Sequence, residues 1–173
     1  MVVLIFAKIF PLKLIEIWKS QANIKKQNAL TRKLKVSKLK ELKLIADQSH
    51  QEVFSELSCL DCANCCKTIP PILNDNDIRR LAKSLGMKEK EFHMAHVRID
   101  EDGDRVMAQT PCPFLLENNH CLVYDSRPRA CREYPHTDGN QFAENLRLHA
   151  VNSTHCPAVF HILQRIEKHL TSS

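Results

Sequence analysis

Glycine is scarce in this sequence, with three residues in 173, at positions 86, 103 and 139. A Rossmann-type nucleotide fold or a phosphate-cradling loop needs several glycines close together, so neither is encoded. Aromatic residues make up only 6% of the chain, and none occurs between Trp18 and Phe54. That stretch therefore has no base-stacking partners for its lysines, which argues against a specific nucleic-acid reader. The apolar opening, residues 1–7, is far shorter than the roughly 20 residues that span a bilayer. No basic residue precedes it, Lys8 interrupts it and no small-residue cleavage site follows, so it does not read as a secretory signal. Eight cysteines in a secreted small protein would suggest disulfides. Without the signal, the expectation is a cytoplasmic protein with reduced thiols. The chain also lacks internal repeats, low-complexity tracts and any nucleophile–base pair with local support, which disfavours hydrolase chemistry.

The charge that is present is unevenly placed. Residues 1–57 hold eleven Lys/Arg against five Asp/Glu, whereas residues 58–173 hold fourteen against fifteen. The division expected is a basic helical extension over 1–57 and a cysteine domain over 58–173. Residues 2–19 mix apolar side chains with lysines around Pro11 and include Trp18, a composition compatible with a membrane-surface helix or with docking on the domain. Residues 22–57 contain no glycine or proline. Leu30, Leu34, Leu42, Ile45, Val53 and Leu57 recur there at roughly helical spacing, which predicts one long amphipathic helix packing on the domain, on an unidentified protein partner or on a second copy.

Beyond residue 67 the prolines at 70 and 71 force an extended segment. Asn74 to Asp77 offer N-caps for a helix through Leu81 and Leu85, with Gly86 as its stop. A second short helix is predicted over Lys88 to His96, with Phe92 as a core anchor. Residues 97–108 then read as two strands around Asp102-Gly103. A further hairpin is expected from Pro111–Leu116 and Cys121–Tyr124, placing Cys112 opposite Cys121. A loop or short helix follows from Ser126, and Cys156-Pro157 opens a last helix with Val159, Ile162, Leu163, Ile166 and Leu170 on one face. The fold class expected is α+β, a small cysteine-rich metal-binding domain of short hairpins and helices behind a long basic helix.

Half of the cysteines fall within eight residues, Cys59-Leu-Asp-Cys62-Ala-Asn-Cys65-Cys66. A turn of backbone brings thiols at i and i+3 together, so Cys59, Cys62 and Cys65 have metal-ligand spacing. The adjacent Cys65-Cys66 pair fits one ion poorly, because neighbouring side chains in an extended segment point apart. Cys112, Cys121, Cys131 and Cys156 are spread over the C-terminal half. Arg127, Arg129 and Arg132 flank Cys131, where their charge would offset thiolates or hold an anionic ligand. Tyr124 and Tyr134 are expected to pack at the edge of such a site.

The pattern Cys59-x-x-Cys62-x-x-Cys65-Cys66, Cys112-Pro-Phe-Leu, Cys121-x-Val-Tyr124-Asp125-x-Arg127-Pro128-x-x-Cys131-Arg132-x-Tyr134-Pro135 and Cys156-Pro157 resembles the CxxCxxCC, or YkgJ-like, cysteine-cluster family. The resemblance covers about residues 58–160. It implies a zinc- or iron-chelating or iron–sulfur protein, with all eight cysteines as candidate ligands and Arg127, Arg132, Tyr124 and Tyr134 around the cofactor. Flagellin lysine N-methylases share a similar signature, but this chain is much shorter and encodes no separate S-adenosylmethionine fold. Thiolates suit both metals. A zinc ribbon pairs two Cys-x-x-Cys knuckles, and the second knuckle is missing here. Three cysteines at two-residue intervals, with Cys112-Pro or Cys156-Pro as the fourth, are closer to a ferredoxin run. Iron, as a cluster or an ion, is therefore favoured over zinc. Electron transfer, redox sensing, metal handling and an enzyme activity all stay open.

Overall fold

Segments without glycine or proline are free to form helix, and Ile24–Leu34 and Leu39–Glu56 do so. A computed structural model describes residues 2–35, 39–138 and 142–171, and 62% of it is helical. The first helix, α1, spans Val2–Gln21 and carries Pro11 inside it. Asn23 then caps α2 (Ile24–Leu34), its Oδ1 accepting the backbone N–H of Lys25 at 3.0 Å and of Lys26 at 3.3 Å. Lys35 closes α2, so the single helix expected over 22–57 divides, and α3 runs over Leu39–Glu56. The link at 36–38 lies outside the described residues. By packing, the chain forms two units, Met1–Cys62 with Pro135–Ser173, and Ala63–Tyr134.

The first unit is built of helices, with no strand among its described residues. Besides α1–α3 it contains the single turn α4 (Cys59–Cys62), α9 (Leu146–Asn152) and α10 (Pro157–Thr171). The apolar residues read from the helical spacing supply its core: Leu30, Leu34, Leu42, Val53 and Leu57 are buried with Val159, Ile162, Leu163 and Ile166 of α10. Ala158, Phe160 and His161 are buried too, so α10 is the central helix rather than one with a single apolar face. Trp18 buries its ring and donates its indole N–H to the Ser153 carbonyl at 2.8 Å. His161 Nε2 donates to the Leu14 carbonyl at 2.9 Å. Arg165 of α10 forks onto Glu52 and Glu56 of α3, at 2.7 Å each.

In the second unit, local signals set the elements. Helix α5 spans Asn64–Thr68, α6 Asp75–Ser84 and α7 Glu89–His96. Asn74 and Asp77 form a reciprocal capping box on α6, and Gly86, at φ 68°, supplies the left-handed turn after it. Strands β1 (Val97–Ile99) and β2 (Arg105–Met107) pair antiparallel with Val97 opposite Met107. Gly103, at φ 86°, makes their turn, where the Asp100 carboxylate accepts the N–H groups of Asp102 and Asp104. A 3-10 turn at Tyr124–Ser126 and the short α8 (Arg129–Glu133) complete the unit. Its core is Leu73, Ile78, Leu81, Ala82, Phe92, Met107, Phe114 and Val123, with the Phe92 and Phe114 rings stacked at 6.3 Å. A small two-stranded sheet among helices makes the fold α+β, as expected.

Candidate metal centre

Three residues decide how the cysteine run folds. Ser58 Oγ accepts the Leu60 N–H at 3.2 Å and Asp61 Oδ2 accepts the Ser58 N–H at 2.7 Å, which winds 59–62 into one helical turn. Ala63 then takes a left-handed conformation, φ 48°, and interrupts the winding before α5 begins at Asn64. The run is thus divided, with Cys59 and Cys62 in the first unit and Cys65 and Cys66 in the second. Within α5 the adjacent thiols stand 4.0 Å apart. They do not point apart as expected, because successive helical side chains differ by about 100° rather than the 180° of a strand.

Around Cys66 the second unit gathers three further thiols. The Cys66 carbonyl accepts the Cys112 N–H at 2.8 Å, placing the 112 segment beside α5. A turn returns Leu115 N–H to the Cys112 carbonyl at 3.0 Å, so Leu115, and not Cys112, bridges to Cys121. The expected hairpin is offset by that turn. Cys112 and Cys121 each lie half-buried against the Phe92–Phe114 core. Cys131 rides on α8, whose first N–H, that of Arg129, is taken by the buried carboxylate of Asp77 at 3.0 Å.

The four thiols feel one another. Burial pushes Cys131 up to about 12, and the neighbouring Cys66, Cys112 and Cys121 add to it. Cys112 is raised by burial and then by Cys66 and Cys121; Cys121 is raised by burial and then by Cys66. Cys66 goes the other way, down to about 7, because Cys65 hydrogen-bonds to it and the Arg127 and Lys67 charges favour its thiolate. Arg127 acts on Cys66, Cys121 and Cys131 alike. Its guanidinium lies 3.5 Å over the half-exposed Tyr124 ring. Arg132 donates to the Arg127 carbonyl at 2.7 Å, and Arg129 pairs with Glu133 at 2.5 Å. Of the arginines flanking Cys131, then, Arg127 is the one whose charge acts on the thiols while its guanidinium rests on Tyr124, and Arg132 supports its loop. Tyr134 is half-buried at the end of the unit.

The first unit carries Cys59, Cys62 and Cys156. Cys156 is pushed up to about 12, by burial first and then by Cys59 and Cys62. The structure joins none of the eight cysteines in a disulfide. Among the described residues, no three His, Cys, Asp or Glu side chains already stand as a set that could hold a metal ion. The donor chemistry nevertheless fits: thiols only, partly buried, with one guanidinium to offset their charge. Asp77 reads in the sequence only as a helix cap, yet its carboxylate holds the first N–H of α8. His149, in α9 of the first unit, is fully buried and stacked on Phe142 at 4.5 Å.

Such a donor set defines a metal-binding, cysteine-cluster protein. The chain belongs to the CxxCxxCC family, whose model, described as a "putative zinc- or iron-chelating domain", matches residues 58–157. No curated protein and no solved structure matches it.

Proposed function

We propose that the second unit is a thiolate metal centre, held by Cys66, Cys112, Cys121 and Cys131 with Cys65 as neighbour to Cys66, and that it takes iron, as an ion or a cluster, in a redox or metal-handling role. The arrangement that carries this reading is the Cys112 N–H on the Cys66 carbonyl at 2.8 Å and the Leu115–Cys121 bridge, with the Cys66, Cys112 and Cys121 thiols and the Arg127 charge all acting on Cys131. Each thiol comes from a different segment: α5, the turn at 112–115, the bridge at Cys121 and α8. A zinc ribbon, built from two Cys-x-x-Cys knuckles, is organised differently. When bound, iron supplies one-electron chemistry or a labile cargo. The residues themselves supply four soft donors, an offsetting positive charge from Arg127 and a half-buried setting against Phe92 and Phe114.

Anaerobic purification followed by a visible spectrum, with metal and acid-labile sulfide analysis of the same sample, tests the proposal. Colour with iron and sulfide is the expected result. Colourless protein with stoichiometric zinc would replace iron by zinc in the same thiols. Protein that takes up no metal under reducing conditions would end the proposal.

A further inference from the structure

We propose that the outward face of α2, which carries Lys25, Lys26, Arg32 and Lys33, docks the first unit on the surface of an anionic lipid membrane. The proposal does not depend on metal at the cysteines.

Charge is the first observation. Between Glu16 and Glu41 the sequence holds eight Lys/Arg and no Asp or Glu. Helix α2 lies inside that stretch and sorts it by face. Gln27, Leu30, Thr31 and Leu34 are buried, whereas Lys25, Lys26, Arg32 and Lys33 are exposed. At about 3.6 residues per turn the four cations fall within roughly a third of the circumference, over about 12 Å of axis. Among the described residues no carboxylate pairs with any of them. Arg32 Nε donates to the Asn28 carbonyl at 3.1 Å, a bond within the helix that leaves its charge uncompensated.

Two of these positions work against the helix itself. Lys25 and Lys26 stand in the first turn, which has no acidic residue, and cations there oppose the helix dipole. Their charge does not serve the stability of α2 and points to a partner outside it.

Nucleic acid, an acidic protein and an anionic membrane all meet such a face by charge, and its other residues choose among them. Helix α2 has no aromatic residue. It therefore offers no stacking platform for bases and no anchor for the core of a protein interface, from which lysine is depleted. Exposed aliphatic side chains accompany the cations: Ile24 at the start of α2, 40% exposed, and Leu12 beside Lys13 on α1, 56% exposed. Lysines that reach headgroups, with aliphatic side chains at the acyl boundary, suit a lipid surface. A cluster of about four to eight basic residues on a helix is drawn to a negatively charged leaflet. The apolar side of α2 is committed to the core through Leu30 and Leu34, so the helix rests on the headgroups and does not sink among the chains.

Co-sedimentation of the full-length chain with phosphatidylcholine vesicles containing one-third phosphatidylserine tests the proposal, with pure phosphatidylcholine vesicles as the neutral control. Binding to the mixed vesicles alone is expected. It should collapse as salt rises from about 0.1 M to about 1 M, where the screening length falls from about 10 Å to about 3 Å. Lys26→Gln combined with Lys33→Gln should weaken binding by about 25-fold, at about fivefold per cation near the surface. Lys83→Gln combined with Lys90→Gln removes the same charge from exposed positions of the second unit and should leave binding unchanged. Circular dichroism checks that both pairs fold. Vesicle binding that the α2 pair leaves untouched, or that both pairs weaken alike, would overturn the proposal. So would no binding to the mixed vesicles, or tighter binding to a random-sequence DNA duplex, which would make the face a phosphodiester contact.

Discussion

The carboxylate of Asp77, in α6, accepts the backbone N–H of Arg129 at 3.0 Å. The same oxygen accepts Arg80 Nη2 at 2.7 Å, and the other accepts the Asn74 N–H at 3.2 Å. Arg80 in turn donates to the Arg127 carbonyl at 2.7 Å. One buried carboxylate therefore positions the segment that carries Arg127 and Cys131. Asp77→Ala should destabilise the second unit by about 1–3 kcal/mol, because it removes the acceptor of the Arg129 and Asn74 N–H groups and of a half-buried guanidinium. It should also weaken cobalt binding at Cys131. Asp77→Asn keeps an acceptor and should recover part of both losses. Denaturant midpoints and cobalt titrations of the two variants check this, and equal, negligible effects would remove Asp77 from its positioning role.

Metal uptake should be steeply pH-dependent. Thiolates bind metal, so every neutral thiol must lose a proton. Cys112, Cys121 and Cys131 all ionise above their ordinary range, whereas Cys66 ionises at about 7. Below pH 7 all four are protonated, and the log of affinity should climb by about four per pH unit. Above it Cys66 is already ionised, and the slope should fall to about three. Competition against a chromophoric chelator across pH 6–8.5 measures it. A slope near one throughout would mean that these four thiols are not the ligands.

Acid should unfold the first unit through His149. Burial lowers its pKa from 6.5 to about 4, opposed by the Phe142 backbone and assisted by His136. The unfolded chain binds this proton first, so the stability is complete above pH 6.5 and is lost as pH falls toward 4. The loss is about 3 kcal/mol. His161, also lowered by burial, acts in the same direction. His149→Phe, which keeps a ring against Phe142, should flatten the acid limb of a stability–pH curve. An unchanged limb would mean that another group governs acid unfolding.

What could be read in the sequence was what neighbouring residues settle between themselves. Asn74, Asp77 and Gly86 announce α6, Asp102-Gly103 announces the β1–β2 turn, and Pro157 opens α10. The eight cysteines named the family. Their grouping was hidden, because it depends on Ala63 adopting φ 48°, and alanine carries no left-handed preference. The turn that puts Leu115 opposite Cys121 was hidden for a similar reason: register is set by backbone hydrogen bonds, not by residue type. The pooling of residues 1–62 with 135–173 is a matter of core packing among distant segments, which a local shift in charge does not report.

Arg127 provides the sharpest test of how the thiols are tuned. Cys66 owes its lowered pKa first to Cys65, whose thiol lies 4.0 Å away, and then to Arg127 and Lys67. In the metal-free, reduced protein, alkylation near pH 7 should therefore label Cys66 ahead of the other thiols of its unit, because the thiolate is the nucleophile. Cys131, pushed up to about 12, should label last of these. Arg127→Gln removes one of the charges that favour the Cys66 thiolate, so half-maximal labelling should move to higher pH; Arg127→Lys should hold it nearer wild type. Mass spectrometry of peptides from a pH series resolves each site. Labelling that starts at Cys131, or a Cys66 profile indifferent to both substitutions, would show that Arg127 does not face the thiols in solution.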